Sequence, residues 1–480
     1  MRVHNYINGT WTPSTATATL AVDDPATGER LGETPLSPAA DVDTAVRAAA
    51  GAFPGWRATP VVERARVLFR LKSLLEDNLD ALAESLTREH GKIRMESRGE
   101  IRRGIENVEH ACAAPTLMMG ETLEDIARGI DCETIRQPLG VFAAITPYNF
   151  PVMIPCWFWP YAVVTGNTFV LKPSEQDPLT HQRIVDLTQQ AGLPSGVLNV
   201  VHGGREAAEA VLDHPEIKGV SFVGSSEVAK AVYARAAANG KRVQALGGAK
   251  NHVVVLPDAD PDLVTDMLVD SLFGSTGQRC LAGSVVVGVS DAYDAVRERL
   301  LDRASSLKLG HGLDDGADMG PVISRRHRDR VREYVHRGAS EGATVALDRS
   351  NATVDSHPDG HWLGPAVFEG VTPGMTLGRD EIFGPVAALT RAISLDDALV
   401  TLGQSAYGNA TSLFTQSGRA AREFRHRAGI SMIGINVAVA APMAFFPFGG
   451  TRNSFFGDLK AQGRDAIEFY TDKRVVISRW

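Results

Sequence analysis

The chain has 480 residues, of which 44% are hydrophobic and 22% charged, and its formal net charge is −8. A chain of this length exceeds what a single hydrophobic core usually holds, so two or more domains are expected. The negative balance, with no basic tract to offset it, argues against nucleic-acid binding.

The four cysteines, Cys112, Cys132, Cys156 and Cys280, lie far apart and show no zinc-type spacing. This pattern predicts neither a disulfide framework nor a metal site, and it favours a reducing cytoplasm. The first residues lack the apolar core of a signal peptide. The longest apolar run, 151–164, is too short to cross a bilayer. We therefore expect a soluble cytoplasmic protein without a membrane contact.

The elements predicted from periodicity change character along the chain. Segment 39–112 is predicted to be mostly helical, because leucines recur there at three- and four-residue steps. From residue 141 short apolar runs predict strands, and amphipathic stretches predict helices between them. The predicted strands are 141–145, 168–171, 197–201, 220–223 and 243–246, and the predicted helices are 153–165, 179–191, 205–212 and 227–238.

A second alternating series starts at His252. Its predicted strands are 252–256, 284–289, 386–389, 411–414 and 430–436, and its predicted helices are 262–273 and 292–306. The two series together predict two doubly wound α/β domains with parallel sheets. The tail 466–480 is predicted to form an edge strand that needs a partner, such as a second subunit.

Polar or glycine residues follow four strands of the first series. They are Thr146, Tyr148 and Asn149; Lys172 and Glu175; Gly203; and Gly224 with Ser225. Ligands of a doubly wound sheet bind beyond the carboxyl ends of its strands, so these residues predict a binding crevice. The Gly-x-Gly-x-x-Gly fingerprint is absent from this region, and a plain turn at Gly224 remains the alternative.

Cys280 follows a glycine-containing loop and has Arg279 beside it. Nearby positive charge favours the thiolate, so this cysteine is a candidate low-pKa nucleophile. The alternative is a small buried core residue.

Seven motifs in order resemble the aldehyde dehydrogenase superfamily over nearly the whole chain. They are T-P-Y-N-F-P (146–151), L-K-P-S-E (171–175), F-V-G-S (222–225), G-G-x-K-N (247–251), G-Q-R-C (277–280), E-I-F-G-P (381–385) and P-F-G-G (447–450). The resemblance implies that Cys280 is the nucleophile and that Asn149 forms an oxyanion hole with the Cys280 backbone N–H.

The same resemblance implies an NAD site. Lys172 and Glu175 would bind the adenosine ribose, Ser225 the pyrophosphate, and Glu381 with Phe383 the nicotinamide end. Thr146, Tyr148, Gly203, Gly224 and Gly247 complete the implied set. Glu175 would repel a 2′-phosphate, which favours NAD over NADP.

The resemblance also implies a division of the chain. Residues 1–120 and 140–250 would form the NAD-binding domain, residues 251–440 the catalytic domain, and residues 121–139 with 460–480 a small β arm. This arm would join subunits into a homodimer or homotetramer.

The chain departs from the hydrolytic members at Leu246, which stands where they carry a water-activating glutamate. Leucine cannot accept a proton, so hydrolysis should be slow and coenzyme A becomes the natural acyl acceptor. Two alternatives stay open: another carboxylate takes over the role of the missing glutamate, or the enzyme is inactive.

Further stretches, including 103–108, 149–157 and 242–252, resemble the CoA-acylating methylmalonate-semialdehyde dehydrogenases. Their substrates carry a carboxylate, which Arg279 and, by the resemblance, Arg103 would bind. The helical pattern alone instead places Arg103 opposite the apolar stripe, in solvent. Gly449-Gly-Thr-Arg452 departs from this branch.

The expected function is therefore NAD-dependent, CoA-acylating oxidation of malonate or methylmalonate semialdehyde with loss of carbon dioxide. A hydrolytic aldehyde dehydrogenase and a catalytically silent NAD-binding paralogue are the alternatives.

Overall fold

Residues 2–480 are described by the computed structural model, which contains three main sheets. The first sheet has eight strands. In spatial order they are Thr10–Thr12, Asn5–Ile7, Leu198–Val200, Thr168–Lys172, Val141–Ile145, Ile217–Val223, Arg242–Leu246 and Phe455–Gly457. The five middle strands are parallel, and the chain order reverses between Val141–Ile145 and Ile217–Val223. This reversal is the topological switch point of a doubly wound sheet.

Helices cover both faces of the first sheet. They are Ala39–Ala58, Val61–Asp77, Leu79–His90, Arg94–Ala111, Ala114–Leu117, Met153–Cys156, Trp159–Val164, Leu179–Gln190, Arg205–Asp213 and Ser226–Ala238. Alternate residues of one strand enter opposite hydrophobic clusters, Phe142 and Ala144 on one face and Val141, Ala143 and Ile145 on the other. A parallel sheet needs apolar residues on both faces, which explains its continuous apolar strands.

The second sheet has seven strands, and six of them are parallel. In spatial order they are Thr344–Asp348, Ala366–Glu369, Val386–Ala392, Gly283–Val289, Asn251–Val255, Ala410–Phe414 and Met432–Ile435. Its helices are Pro261–Phe273, Ala292–Ser306, Arg325–Ser340, Thr376–Arg379, Leu395–Gly403 and Gly418–Arg427. Two doubly wound α/β units are thus confirmed, while the proposed domain boundaries stay a prediction.

A separate three-stranded sheet has the order Thr471–Arg479, Ile130–Pro138, Thr122–Ala127. The predicted edge strand is confirmed for Thr471–Arg479 and is wrong for the residues before it. The helix Gly463–Tyr470 precedes this strand. Its last two residues pack against the first sheet, where the ring centres of Phe469 and Tyr470 lie 5.7 and 4.9 Å from that of Phe142. Two smaller antiparallel pairs are Thr19–Asp23 with Arg30–Pro35 and Tyr407–Gly408 with Thr451–Arg452.

The predicted single helix 153–165 is also wrong, since two short helices end and begin around Trp157 and Phe158. Pro160 has no N–H to donate to the preceding turn, so a continuous helix cannot pass through it. Among residues 2–480, no helix is both long enough and apolar enough to cross a membrane.

Candidate active site

Cys280 lies on a loop with an unusual backbone path. After the helix Pro261–Phe273, Ser275, Thr276 and Gly277 take positive φ angles of 48°, 54° and 72°. Gly277 is required, because a Cβ there would lie 2.2 Å from the Gly384 carbonyl oxygen. Such strain persists where the surroundings over-determine it, which is common at functional sites.

Two asparagine side chains fix the backbone at the cysteine itself. The amides of Asn251 and Asn409 each donate to the Cys280 carbonyl oxygen at 2.9 Å. Asn251 also donates to Ala282 and accepts from the Ala410 N–H. The orientation of Cys280 is therefore tied to two strands of the second sheet.

Cys280 lines two cavities. The first, which we call the strand-end pocket, has a volume of about 240 Å³. It is formed by residues 147–149, 223–225 and 247–248 with His327, Arg330, Glu381, Phe383 and Cys280. The second, the helix-side pocket, has a volume of about 390 Å³. It is lined by the helix Arg94–Ala111, by residues 279–281 and by apolar groups that include Phe150, Met153, Trp157, Val439 and Phe448.

The strand-end pocket lies at the switch point of the first sheet. Asn149 and Tyr148 follow one of the two diverging strands, and Gly224 and Ser225 follow the other. Ser225 precedes the helix Ser226–Ala238, so its first N–H groups face this crevice. A dinucleotide with a pyrophosphate bridge suits such a place.

Glu381 and Phe383 form the opposite wall of this pocket. Glu381 Oε1 accepts from the Ala249 N–H at 2.9 Å, and burial raises the pKa of its carboxyl to about 7. Phe383 has φ 62° and meets the Tyr148 ring edge-on at 6.1 Å, while His327 Nε2 donates to its carbonyl at 2.7 Å. These contacts hold a carboxylate and an aromatic ring beside the nucleophile.

Lys172 and Glu175 lie together at the end of the neighbouring strand, where Lys172 Nζ donates to Glu175 Oε2 at 2.8 Å. The Thr146 N–H donates to the Lys172 carbonyl at 3.1 Å, so Thr146 links the ends of the strands Val141–Ile145 and Thr168–Lys172. The buried Thr146 hydroxyl has no partner among the described residues, which suits a group that contacts a ligand.

Gly203 and Gly247 serve close packing. A Cβ at Gly203 would lie 2.6 Å from that of Ala207, and one at Gly247 would lie 2.6 Å from the Asn453 carbonyl oxygen. Gly247 lines the strand-end pocket; the set of residues that forms this pocket does not include Gly203. Their cofactor roles stay a prediction.

The buried amide of Asn149 lies beside the nucleophile loop, where its Nδ2 donates to the Gln278 carbonyl at 3.0 Å. The amide is thus held two residues from Cys280, whose own N–H is the second donor in the predicted oxyanion hole. Two fixed donors of this kind stabilise the alkoxide that forms when a thiolate attacks a carbonyl carbon.

The chain matches the model of the aldehyde dehydrogenase family over residues 11–476. It is 50% identical over 475 residues to malonate-semialdehyde dehydrogenase 2 of Geobacillus thermodenitrificans, covering 99% of this chain and 98% of the relative. Malonate-semialdehyde dehydrogenase of Halalkalibacterium halodurans is 47% identical over 479 residues, 100% of this chain and 98% of the relative.

The chain belongs to the aldehyde dehydrogenase family. Among solved structures, a methylmalonate-semialdehyde dehydrogenase from Oceanimonas doudoroffii superposes with a TM-score of 0.98 at 46% identity, covering 100% of this chain and 98% of that one. A protein from Sinorhizobium meliloti described as a putative methylmalonate-semialdehyde dehydrogenase complexed with NAD gives 0.99 at 42% identity, with the same coverage.

One electrostatic expectation for this dehydrogenase is wrong. Burial raises the pKa of the Cys280 thiol to about 12, and the negative charge of Glu381 adds to the rise. Arg279 lowers it only weakly, because its guanidinium already donates to Glu96 at 2.9 Å and to Asp270 at 3.2 Å. The Cys280 thiol is therefore protonated at neutral pH.

The placement of Arg103 from the helical pattern alone is also wrong. Arg103 lines the helix-side pocket and donates to Glu106 at 2.8 Å and to the Pro442 carbonyl. The helix Arg94–Ala111 is covered on two faces, because its apolar stripe enters the core while Glu96, Glu100 and Arg103 border the pocket. A single hydrophobic stripe cannot reveal that the opposite face is also covered.

Leu246 ends the strand Arg242–Leu246 and is 3% exposed within the hydrophobic cluster that also packs against Cys280. An aliphatic side chain thus occupies the place where the sequence comparison expects a carboxylate.

Sequence reasoning missed four residues of the site: Asn251, Asn409, His327 and Arg330. Asn251 closes the G-G-x-K-N motif, so its position could have drawn attention. The other three lie outside any motif, and tertiary contacts alone bring them to Cys280 or to the strand-end pocket.

Proposed function

We propose that this aldehyde dehydrogenase carries out NAD-dependent, CoA-acylating oxidation of malonate or methylmalonate semialdehyde. One observation carries the proposal: the Cys280 sulfur stands between a strand-end pocket suited to a dinucleotide and an apolar pocket that holds Arg279 and Arg103. The relatives named malonate- and methylmalonate-semialdehyde dehydrogenase support this choice of substrate.

In the first half-reaction the Cys280 thiol loses its proton to solvent, the thiolate forms a bond to the aldehyde carbon, and the carbonyl electrons become an alkoxide. The Asn149 amide and the Cys280 N–H donate to this oxygen. NAD, when bound, would supply the hydride acceptor, and loss of the hydride from the former aldehyde carbon would leave a thioester on Cys280. Glu175 and Lys172 would hold the adenosine ribose, and Glu381 the nicotinamide ribose.

In this thioester, the carbon next to the carbonyl carries the carboxylate of the substrate. The carboxylate carbon is therefore β to the thioester carbonyl. The carbon–carboxylate bond breaks, carbon dioxide leaves, and the electron pair enters the enolate of the thioester. Protonation of that carbon gives an acetyl or propionyl group on Cys280. Arg279 and Arg103 suit the substrate carboxylate, because guanidinium groups bind carboxylates bidentately.

The second half-reaction transfers the acyl group to coenzyme A. The CoA thiolate attacks the thioester carbonyl, acyl-CoA leaves, and Cys280 is released as thiolate. Water is a poor competitor, because Leu246 cannot accept its proton. A thiol needs less activation than water, since a few per cent of it is already ionised near neutral pH.

The test uses purified protein with malonate semialdehyde and saturating NAD. Without CoA we expect a single burst of NADH equal to the active sites, and with CoA we expect sustained turnover and acetyl-CoA. Equal multiple turnovers in both conditions would contradict the Leu246 argument.

Hydrolysis is the second candidate, because one observation favours it: Glu381 is a carboxylate in the same pocket as Cys280, and its pKa is raised to about 7. Its Oε1 is already held by the Ala249 N–H, which argues against a free base. A free acid product that persists in the wild type and is lost in Glu381→Gln would favour hydrolysis. Absence of any burst and of Cys280 alkylation would favour a silent paralogue.

We also propose a homo-oligomer assembled through the three-stranded sheet, acting in a reducing cytoplasm. The apolar side chains of Ile477, Val475 and Leu123 on this sheet are about two-thirds exposed. Ile477 and Leu123 both pair with Cys132 from opposite sides, so they lie in one row. Ile477→Lys should lower the mass measured by light scattering, whereas Ile393→Lys, at an exposed residue just after the strand Val386–Ala392, should not.

A further inference from the structure

The helix Arg94–Ala111 carries two glutamates one turn apart, Glu96 partly buried and Glu100 buried, and each contacts a different loop of the active site. Glu96 reaches the nucleophile loop and Glu100 the loop that carries Asn149. Residues four apart on a helix lie on the same face.

Glu100 is fully enclosed and bonded through both oxygens. Its Oε1 accepts from the Val152 N–H at 2.8 Å and from the Met153 N–H at 3.2 Å, and its Oε2 accepts from Lys92 Nζ at 2.5 Å. One turn further along, a Cβ on Gly104 would lie 3.3 Å from Val152. The helix and the loop that begins at Asn149 are therefore in direct contact.

Lys92 completes the attachment at Asn149 itself. Its Nζ donates to the Asn149 carbonyl at 2.8 Å and lies 4.4 Å from the centre of the Phe150 ring. Lys92 and Glu100 are about 1% and 0% exposed, so neither charge is shared with solvent. Removing one partner would leave the other charge buried and unpaired, which is costly.

Glu96 makes the equivalent attachment to the nucleophile loop. Its Oε1 accepts from the Ser275 N–H at 2.6 Å and from Arg279 at 2.9 Å, on either side of the left-handed turn before Cys280. Its Oε2 accepts from the Ile93 N–H, at the start of the same helix. The strained turn is thus tied to the helix that also holds the oxyanion loop.

We propose that Glu96 and Glu100, with Lys92, are positioning residues that set the separation between the Cys280 sulfur and the Asn149 amide. This inference rests on the proposed function, because it takes Asn149 as the oxyanion donor. The helix acts as a common support for two loops that come from different sheets. A displacement of about 1 Å in such a pair can cost roughly a hundredfold in rate.

The experiment measures two rates on each variant at saturating NAD and without CoA. The first is the rate constant of the NADH burst, measured with propanal and with malonate semialdehyde. The amplitude of the burst gives the number of active sites. The second is the alkylation of Cys280 by iodoacetamide, which needs the sulfur but not the oxyanion hole. Glu109→Gln is the matched control, since Glu109 lies on the same helix in a solvent-exposed pair with Lys72.

For Glu100→Gln and Lys92→Met we expect the burst rate constant to fall by about thirtyfold or more with both aldehydes. Alkylation should stay within about twofold of wild type, because the Cys280 sulfur and its loop are unchanged. Glu96→Gln should slow both the burst and alkylation, since it releases the nucleophile loop. Glu109→Gln should change neither.

A wild-type burst rate in Glu100→Gln, or an equal fall of burst and alkylation, would overturn the positioning role. Unchanged alkylation in Glu96→Gln would overturn the role of Glu96 in positioning the nucleophile loop. If the single variants do not fold, the double variant Lys92→Met/Glu100→Leu removes both charges together, and a full burst rate in it would have the same meaning. A wild-type enzyme without a burst would contradict the proposed function instead.

Discussion

The two pockets that meet at Cys280 are built in different ways. The strand-end pocket consists mainly of residues at or directly after the ends of strands of the first sheet, and these residues belong to the short sequence motifs described above. The helix-side pocket combines one face of the helix Arg94–Ala111 with Val439, Ala441 and Gln462, more than 300 residues away. Local sequence patterns predict the residues of the first pocket. The residues of the second pocket are distant in sequence, and only the folded chain shows that they meet.

The pockets also differ in how their charges are held. In the strand-end pocket, Glu381 is buried, and its negative charge raises the pKa of Cys280. In the helix-side pocket each cation already has a carboxylate partner, Glu96 for Arg279 and Glu106 for Arg103. Under the proposed function, a substrate carboxylate would compete with or join these pairs.

The largest effect should come from the residue that both pockets share. Cys280→Ala removes the nucleophile, and we expect NADH formation to fall by roughly 10⁴-fold or more. Stopped-flow absorbance of NADH measures this loss. Cys132→Ser, at a partly exposed cysteine of the three-stranded sheet, is the control and should retain wild-type rates. Residual activity of the Ala variant near wild type would exclude the thioester route.

The second prediction concerns the strand-end pocket. Asn149→Ala removes one of the two oxyanion donors, and kcat should fall about 10²- to 10³-fold with little change in KM. Steady-state kinetics with propanal and with malonate semialdehyde should show the same loss, because the alkoxide is common to both. A change in KM alone would mean that Asn149 binds the ground state instead.

The third prediction separates the pockets by substrate charge. Arg103→Ala should raise KM for malonate semialdehyde about tenfold or more and leave propanal within about twofold, because a charge-assisted hydrogen bond is lost. Arg98→Ala is the control on the same helix, since Arg98 is exposed, pairs with Asp80 and is not among the residues that form the helix-side pocket. Equal losses for both aldehydes would contradict a carboxylate role for Arg103.

The smallest effect is electrostatic and concerns the ligand-free enzyme. The pKa of Cys280 is raised to about 12, so alkylation by iodoacetamide should keep rising about tenfold per pH unit from pH 7 to 10. Above pH 7 the Glu381 carboxyl is charged and opposes the thiolate. Glu381→Gln should therefore speed alkylation at pH 8 by about three- to tenfold.

Asp380→Asn is the control for this charge, because Asp380 is adjacent in sequence but is not among the groups that shift the Cys280 pKa. An alkylation plateau below pH 9 in the wild type would show that the thiol is ionised more easily than its burial implies.

The sequence by itself determined the two parallel sheets, since each strand is a short apolar run between amphipathic helices. It also predicted Cys280 as nucleophile and Asn149 as oxyanion donor through the family motifs, and it predicted the strand-end residues because groups after parallel strands meet at one edge. The absence of a base at residue 246 was equally visible.

Only the tertiary structure decided the environment of those residues. Periodicity placed Arg103 in solvent, yet the segment around Pro442 covers it, and the charge beside Cys280 proved to be neutralised by Glu96. The helix before Thr471 likewise followed from packing, since Phe469 and Tyr470 contact Phe142. Burial, pKa and the pairing of charges depend on groups that are distant in sequence, so no local pattern contains them.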